Sequence, residues 1–223
     1  MYRREFLRDA SLAGLALGAG SLSAQTMVNH AGRIDVHHHY LPPFLDGPTW
    51  PWSIDYALDA MDRNNVATSI LSGTTFPEPL NDGTPEARAL ARRANDFIAE
   101  ATEPHPGRLG YFAAIPLADT EGSLREIEYA FDTLNADGVT MNSSAGRMWP
   151  GDPAQMPIFE ELNRRKTSVF IHPNTTPFCC MNPPGVPNNV AEFDNDVLRA
   201  VLSLLWNGVL TNYPDINFIV AHT

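Results

Sequence analysis

Residues 157–173 read PIFEELNRRKTSVFIHP. A short helical pattern runs over 157–166 and gives way, within two residues, to the strand-length apolar run 167–172. Val169-Phe170-Ile171 is apolar throughout, as expected for a parallel strand covered on both faces. The run ends on His172, and Pro173 follows it.

The same unit recurs in both directions. Strand-length apolar runs are predicted at 33–39, 67–73, 108–116, 137–143, 167–172 and 217–223. Helical spacing is predicted over 53–65, 84–103, 123–135, 157–166 and 194–213. Ile54, Leu58 and Met61 form one helix face, Leu124, Ile127, Phe131 and Leu134 a second, and Val197, Val201, Leu204 and Leu205 a third. Thr84 and Pro85 mark a helix start. No glycine-rich phosphate fingerprint follows the first strand, which argues against a nucleotide-binding doubly wound sheet.

The connections are unequal. Helix-to-strand links at 65–66, 136–137 and 166–167 are short, whereas strand-to-helix links at 40–52, 74–83, 144–156 and 173–193 are long. In a (β/α)8 barrel the strand-to-helix loops gather on one face and build the active site. The expected fold class is therefore α/β, an incomplete TIM-like (β/α)8 barrel with about six of the eight βα units of a complete one.

Composition narrows the function. The chain has 223 residues, of which 43% are hydrophobic and 18% charged, enough to bury a core and too apolar for disorder. A formal charge of −11 repels phosphate backbones and speaks against nucleic acid as a partner. The two cysteines, Cys179 and Cys180, are adjacent, so there is no disulfide framework and no CxxC motif, and they are read as loop packing. After residue 25 no uninterrupted apolar run reaches 18 residues, so no integral membrane segment is expected.

The first 24 residues, MYRREFLRDASLAGLALGAGSLSA, pair Arg3 with Arg4 ahead of a mild Ala/Gly/Leu stretch and end in small residues. This order predicts a twin-arginine export signal over 1–24, a barrel over 30–223, and a periplasmic location.

The chemistry is carried by histidine. On a strand, residues i and i+2 share a face, so His37 and His39 point one way and His38 outward. Two imidazoles on one face make two arms of a metal site. His172 ends another strand and His222 a third, so all four would meet at one mouth of the barrel. His30 and His105 lie away from that mouth and are expected to be solvated. Arg147 is the single cation in the long strand-to-helix loops, and its guanidinium suits an acidic substrate. Tyr40, Phe44, Trp50, Trp149 and Phe178 share those loops, either walling an apolar pocket or packing the loops down.

The stretches IDVHHHYLPP, RLGYFAAIPLAD, DGVTMNSS, PIFEELNRRKTSVFIHP and YPDINFIVAHT together resemble the amidohydrolase superfamily. They resemble most its branch containing aminocarboxymuconate-semialdehyde, γ-resorcylate and 6-methylsalicylate decarboxylases, over residues 33–223. The resemblance implies one divalent ion, zinc in the first place and manganese as the alternative, held by His37, His39 and His172. It implies a catalytic His222 beside the ion, and a carboxylate ligand from after an eighth strand, which would lie beyond Thr223. The implied reaction is nonoxidative decarboxylation of an aromatic or unsaturated carboxylic acid. The alternatives are a metal-dependent hydrolase of a lactone or amide, or a non-catalytic remnant. A small carboxylate is the expected partner, and a homo-oligomer is compatible with the reading.

Overall fold

The structure, a computed structural model, describes residues 32–45, 52–73, 80, 82–174 and 182–222. The predicted export signal, His30, Trp50, Phe178, Cys179 and Cys180 lie outside them. Six strands run in chain order: β1 Arg33–His39, β2 Val66–Ser72, β3 Leu109–Ala114, β4 Gly138–Asn142, β5 Ser168–His172 and β6 Asn217–Val220. They alternate with α1 Ile54–Arg63, α2 Pro85–Thr102, α3 Thr120–Asp132, α4 Met156–Arg164, and the pair α5 Asn188–Trp206 and α6 Val209–Asn212. Every neighbouring pair is parallel and the sheet order is β1-β2-β3-β4-β5-β6.

The sheet curls. In a flat sheet β1 and β5 would stand about 19 Å apart, four steps of about 4.8 Å. Yet the His37 and His172 rings, one from each strand, have centroids 5.2 Å apart. The six strands thus form an open half-barrel of the TIM type, with β1 and β6 as its free edges.

Local sequence sets the elements. Ser53 caps α1 by accepting from the Tyr56 amide, and Thr84 caps α2 by accepting from the Ala87 amide, with Pro85 in the first turn. Three of the helix-to-strand links turn on a left-handed residue: Asn65, Asn135 and Lys166, each with φ between 53° and 57°. Asn tolerates that conformation, whereas Lys166 bears an intrinsic cost of roughly 1–2 kcal/mol.

Apolar side chains fall into three clusters. Two lie under the helices: one holds Met61, Leu71, Ala91 and Ile98, the other Ile127, Val139, Ile158, Phe159 and Leu204. The third is the barrel interior, where Phe112 and Phe170 stack at 5.7 Å beside Ala221, Ile70 and Ile219. Asn95, wholly buried in α2, clamps the last residue of β3: its amide group donates to the Ala114 carbonyl and its oxygen accepts from the Ala114 N–H.

Several boundaries differ from the sequence expectation. α3 begins at Thr120, not at 123, because its first turn is polar; Ser123 lies inside it with its hydroxyl donating to the Pro116 carbonyl. α5 begins at Asn188, not 194, and the predicted single helix breaks at Gly208, whose φ is +73°. Leu205 belongs to the solvent side: Val197 and Leu204 are buried, while Leu198, Leu202, Leu205 and Trp206 are exposed. Phe218, Ile219 and Val220 are only partly buried, since β6 is an edge strand.

Gly138 opens β4 where a Cβ would lie 2.5 Å from the Ser168 carbonyl oxygen and 2.9 Å from the Phe112 ring. Gly138→Ala is therefore expected to destabilise the fold by about 1–3 kcal/mol through overpacking, measured by urea denaturation.

Candidate metal centre

The site is assembled from strand ends. His37 and His39 share a face of β1, as the period of two requires, and their Nε2 atoms are 3.2 Å apart. The β1–β2 register slips between Asp35 and His38, and the His37 N–H donates to the Asp35 carboxylate at 3.0 Å. His38 turns to the other face, 2.8 Å from the Ser69 hydroxyl on β2.

His172 closes β5 in register with Asn142 of β4. It is buried, and its Nδ1 lies 2.7 Å from the Pro173 carbonyl oxygen. A carbonyl only accepts, so Nδ1 carries the proton and Nε2 presents a lone pair to the site. His222 follows β6 with φ +54°, exposed, its Nε2 3.3 Å from that of His172.

His37, His39 and His172 each offer a ring nitrogen, and these atoms all lie within 4.8 Å of one another. Ligand nitrogens about 2.0–2.1 Å from a tetrahedral ion stand roughly 3.3 Å apart, so the 3.2 Å His37–His39 spacing suits a single cation. Octahedral spacing differs by only tenths of an ångström, so the pair accommodates either geometry. His222 is not part of the ligand group; it stands beside His172 at the rim.

Burial and crowding keep the imidazoles neutral. Desolvation, then the neighbouring His39, brings His172 down to about 3. Desolvation, then His37, brings His39 to about 4, against a hydrogen bond to the Ser72 backbone. His37 is lowered by desolvation and by His222, with Asp35 opposing. Neutral imidazole is the metal-binding form.

The surroundings sort the remaining residues. Arg147 lies exposed in the turn that Ala145 and Met148 close after β4. Tyr40 is fully buried against Trp52 and Phe97, and Phe44 packs on Phe97 beneath Arg93, so these two aromatics hold their loop onto α2 rather than wall a pocket. From the helix layer, Phe193 of α5 meets the site, its ring 5.2 Å from His222 and 6.1 Å from His172. Sequence reasoning passed over it, and also over Asp196 one turn later, because both fall where a loop was expected to become helix.

Without metal, the neutral histidines make stability depend on pH. Unfolded imidazoles take up protons near 6.5, which folded His39 and His172 refuse until about 4 and about 3. The unfolded state binds more protons in that window, so stability falls as pH drops from 6.5 towards 4.5. Glu161, held near 2 by Arg164, adds to the loss only below its ordinary value of 4.5. Denaturant titrations of chelator-treated protein at several pH values should show the fall, and His172→Gln should flatten it.

Comparison with known proteins agrees with this architecture. Residues 34–223 match the family model described as Amidohydrolase. The 6-methylsalicylic acid decarboxylase of Penicillium expansum is 35% identical over 205 residues, covering 85% of this chain and 63% of the relative. The chain thus spans less than two thirds of that relative's length. The crystal structure of "Amidohydrorolase II" is 27% identical with a TM-score of 0.74, covering 84% of this chain and 65% of that one. The 5-carboxyvanillate decarboxylase of Novosphingobium aromaticivorans, solved with manganese and 3-methoxy-4-hydroxy-5-nitrobenzoic acid, is 28% identical with a TM-score of 0.68, covering 74% and 48%. A half-barrel of parallel strands with histidines at their ends, matched by the family model from residue 34 onward, places this chain in the amidohydrolase family.

Proposed function

We propose that this protein is a metal-dependent nonoxidative decarboxylase of an aromatic or unsaturated carboxylic acid. The observation that carries the metal dependence is the meeting of His37, His39 and His172 at one strand-end mouth. The decarboxylase names of the P. expansum and N. aromaticivorans relatives support the reaction class. A divalent ion held by the three histidines would orient and polarise the substrate carboxylate. Zinc suits the three-imidazole set, and the manganese of the N. aromaticivorans structure supports the alternative.

The chain's own residues then supply the setting. His222 at the rim offers a ring N–H to the substrate once it is displaced from His172. Phe193 gives an aromatic surface beside both histidines, suited to a planar ring. Phe170, 5.3 Å from His37, closes the floor. Loss of CO2 leaves an electron pair on the ring carbon, which a proton must take up. Arg147, in the loop after β4, is proposed to bind the substrate's acidic group. We further propose that residues 1–24 direct export to the periplasm, on the strength of Arg3-Arg4 and the small residues at 21–24.

The test is to offer metal-loaded protein 6-methylsalicylate and, separately, aryl lactones and amides. Carbon dioxide with the decarboxylated phenol supports the reading; ring-opened acid without carbon dioxide would move the protein to the hydrolases. His172→Ala should lose bound metal, by elemental analysis, and at least about 100-fold in kcat/KM, as removal of a ligand must cost at least what removal of a supporting group does. Arg147→Gln should raise KM about tenfold, the worth of a charge-assisted hydrogen bond, with metal content unchanged.

A further inference from the structure

The carboxylate of Asp196, on α5, is completely buried. Its neighbours on the buried face of the helix are Val197, Ala200 and Leu204, which shows what packs there at no electrostatic cost. A charge in that position is expensive unless it is held by specific partners. Arg199 reaches it at 3.6 Å but stands closer to Glu192, at 3.0 Å. A short contact joins it to Ser143, just past β4, whose hydroxyl donates to Asp196 Oδ2 at 2.9 Å.

Ser143 is a junction. Its N–H donates to the His172 carbonyl at 2.7 Å, extending the β4–β5 ladder by one step. Its hydroxyl proton is shared between Asp196 Oδ2 at 2.9 Å and the Asn174 side-chain oxygen at 2.8 Å, and its Oγ accepts from the Asn174 N–H at 3.3 Å. Asn174 in turn donates from its amide group to the Ser144 carbonyl, and the Ser144 hydroxyl donates to Asn174 Oδ1. His172 sits inside this mesh. Its own carbonyl is held by Ser143, and the residue two places on is tied to the same serine.

We propose that Asp196 is a positioning residue for the metal centre: through Ser143 and Asn174 it fixes the end of β5 from which His172 faces the site. This rests on the metal-centre reading of His37, His39 and His172. The carboxylate acts as a hydrogen-bond acceptor that anchors the serine to α5, so the helix that meets the His172 ring through Phe193 also braces its strand end through Ser143.

Binding of Mn²⁺ to the chelator-treated full chain, followed by calorimetry beside thermal melts, tests this. Asp196→Ala and Ser143→Ala should each weaken Mn²⁺ binding about tenfold or more, the usual cost of losing a group that orients a ligand. Asp196→Asn, which keeps an acceptor oxygen, should stay within about threefold of the wild type, and the double alanine variant should be no weaker than the worse single one. A lowered melting temperature with Mn²⁺ affinity unchanged in both alanine variants would reduce Asp196 to a structural role and overturn the proposal. So would an Asn variant as weak as the Ala variant. If Asp196→Ala does not fold, Ser143→Ala decides, since it removes one hydroxyl. Wild-type protein that takes up no Mn²⁺ or Zn²⁺ sinks the metal-centre reading itself, whereas normal wild-type binding with unaffected variants sinks only the role of Asp196.

Discussion

The curl of the sheet is the constraint on which the site depends. His37 and His39 belong to the first strand, His172 to the fifth and His222 to the segment after the sixth. Strand twist and parallel pairing roll these ends together. The roll needs something to close around, and the Phe112–Phe170 stack beneath His37 supplies it. Gly138 is part of the same device, since the missing side chain is the space the Phe112 ring occupies. Packing inside the barrel and ligand convergence at its mouth are therefore one event.

The two ends of the barrel are built on different terms. Links that return from helix to strand are short and turned by Asn65, Asn135 and Lys166 in the left-handed region. They fix register and carry no chemistry. The opposite end holds the histidines, Arg147 and Phe193, and its connections take their order from elsewhere: Tyr40 and Phe44 pack on α2, and Ser143, tied to Asn174, hydrogen-bonds to Asp196. A barrel can accept cost at the functional end because the other end and the helix layer hold the frame.

Much of this was legible in the sequence, because it rests on local periodicity. The alternation of strand and helix, the His37/His39 face and the strand-end place of His172 each follow from a few adjacent residues. Other features depend on what distant segments bring. Tyr40 could not be assigned to packing until α2 supplied Phe97. Phe193 reads as loop and Asp196 as the polar first turn of a helix, and nothing local in the stretch AEFDND announces that they meet His222 and Ser143. The helix boundary at 188 and the break at Gly208 show the same limit: the end of a periodic pattern marks where burial begins, not where hydrogen bonding begins.

The proton on His172 links the parts of the proposed centre. With Nδ1 donating to the Pro173 carbonyl, Nε2 has one lone pair, and His222 Nε2 stands 3.3 Å away in position to donate to it. A cation and His222 compete for that single pair. In the proposed centre, an ion held by His37, His39 and His172 would take that pair and leave the His222 N–H free at the rim. The proposed substrate's carboxylate oxygen would be a chemically apt acceptor there. In the proposed mechanism, occupation of the ligand site and the freeing of His222 would thus both follow from one tautomer, set by the Pro173 carbonyl that the bend after β5 brings to His172.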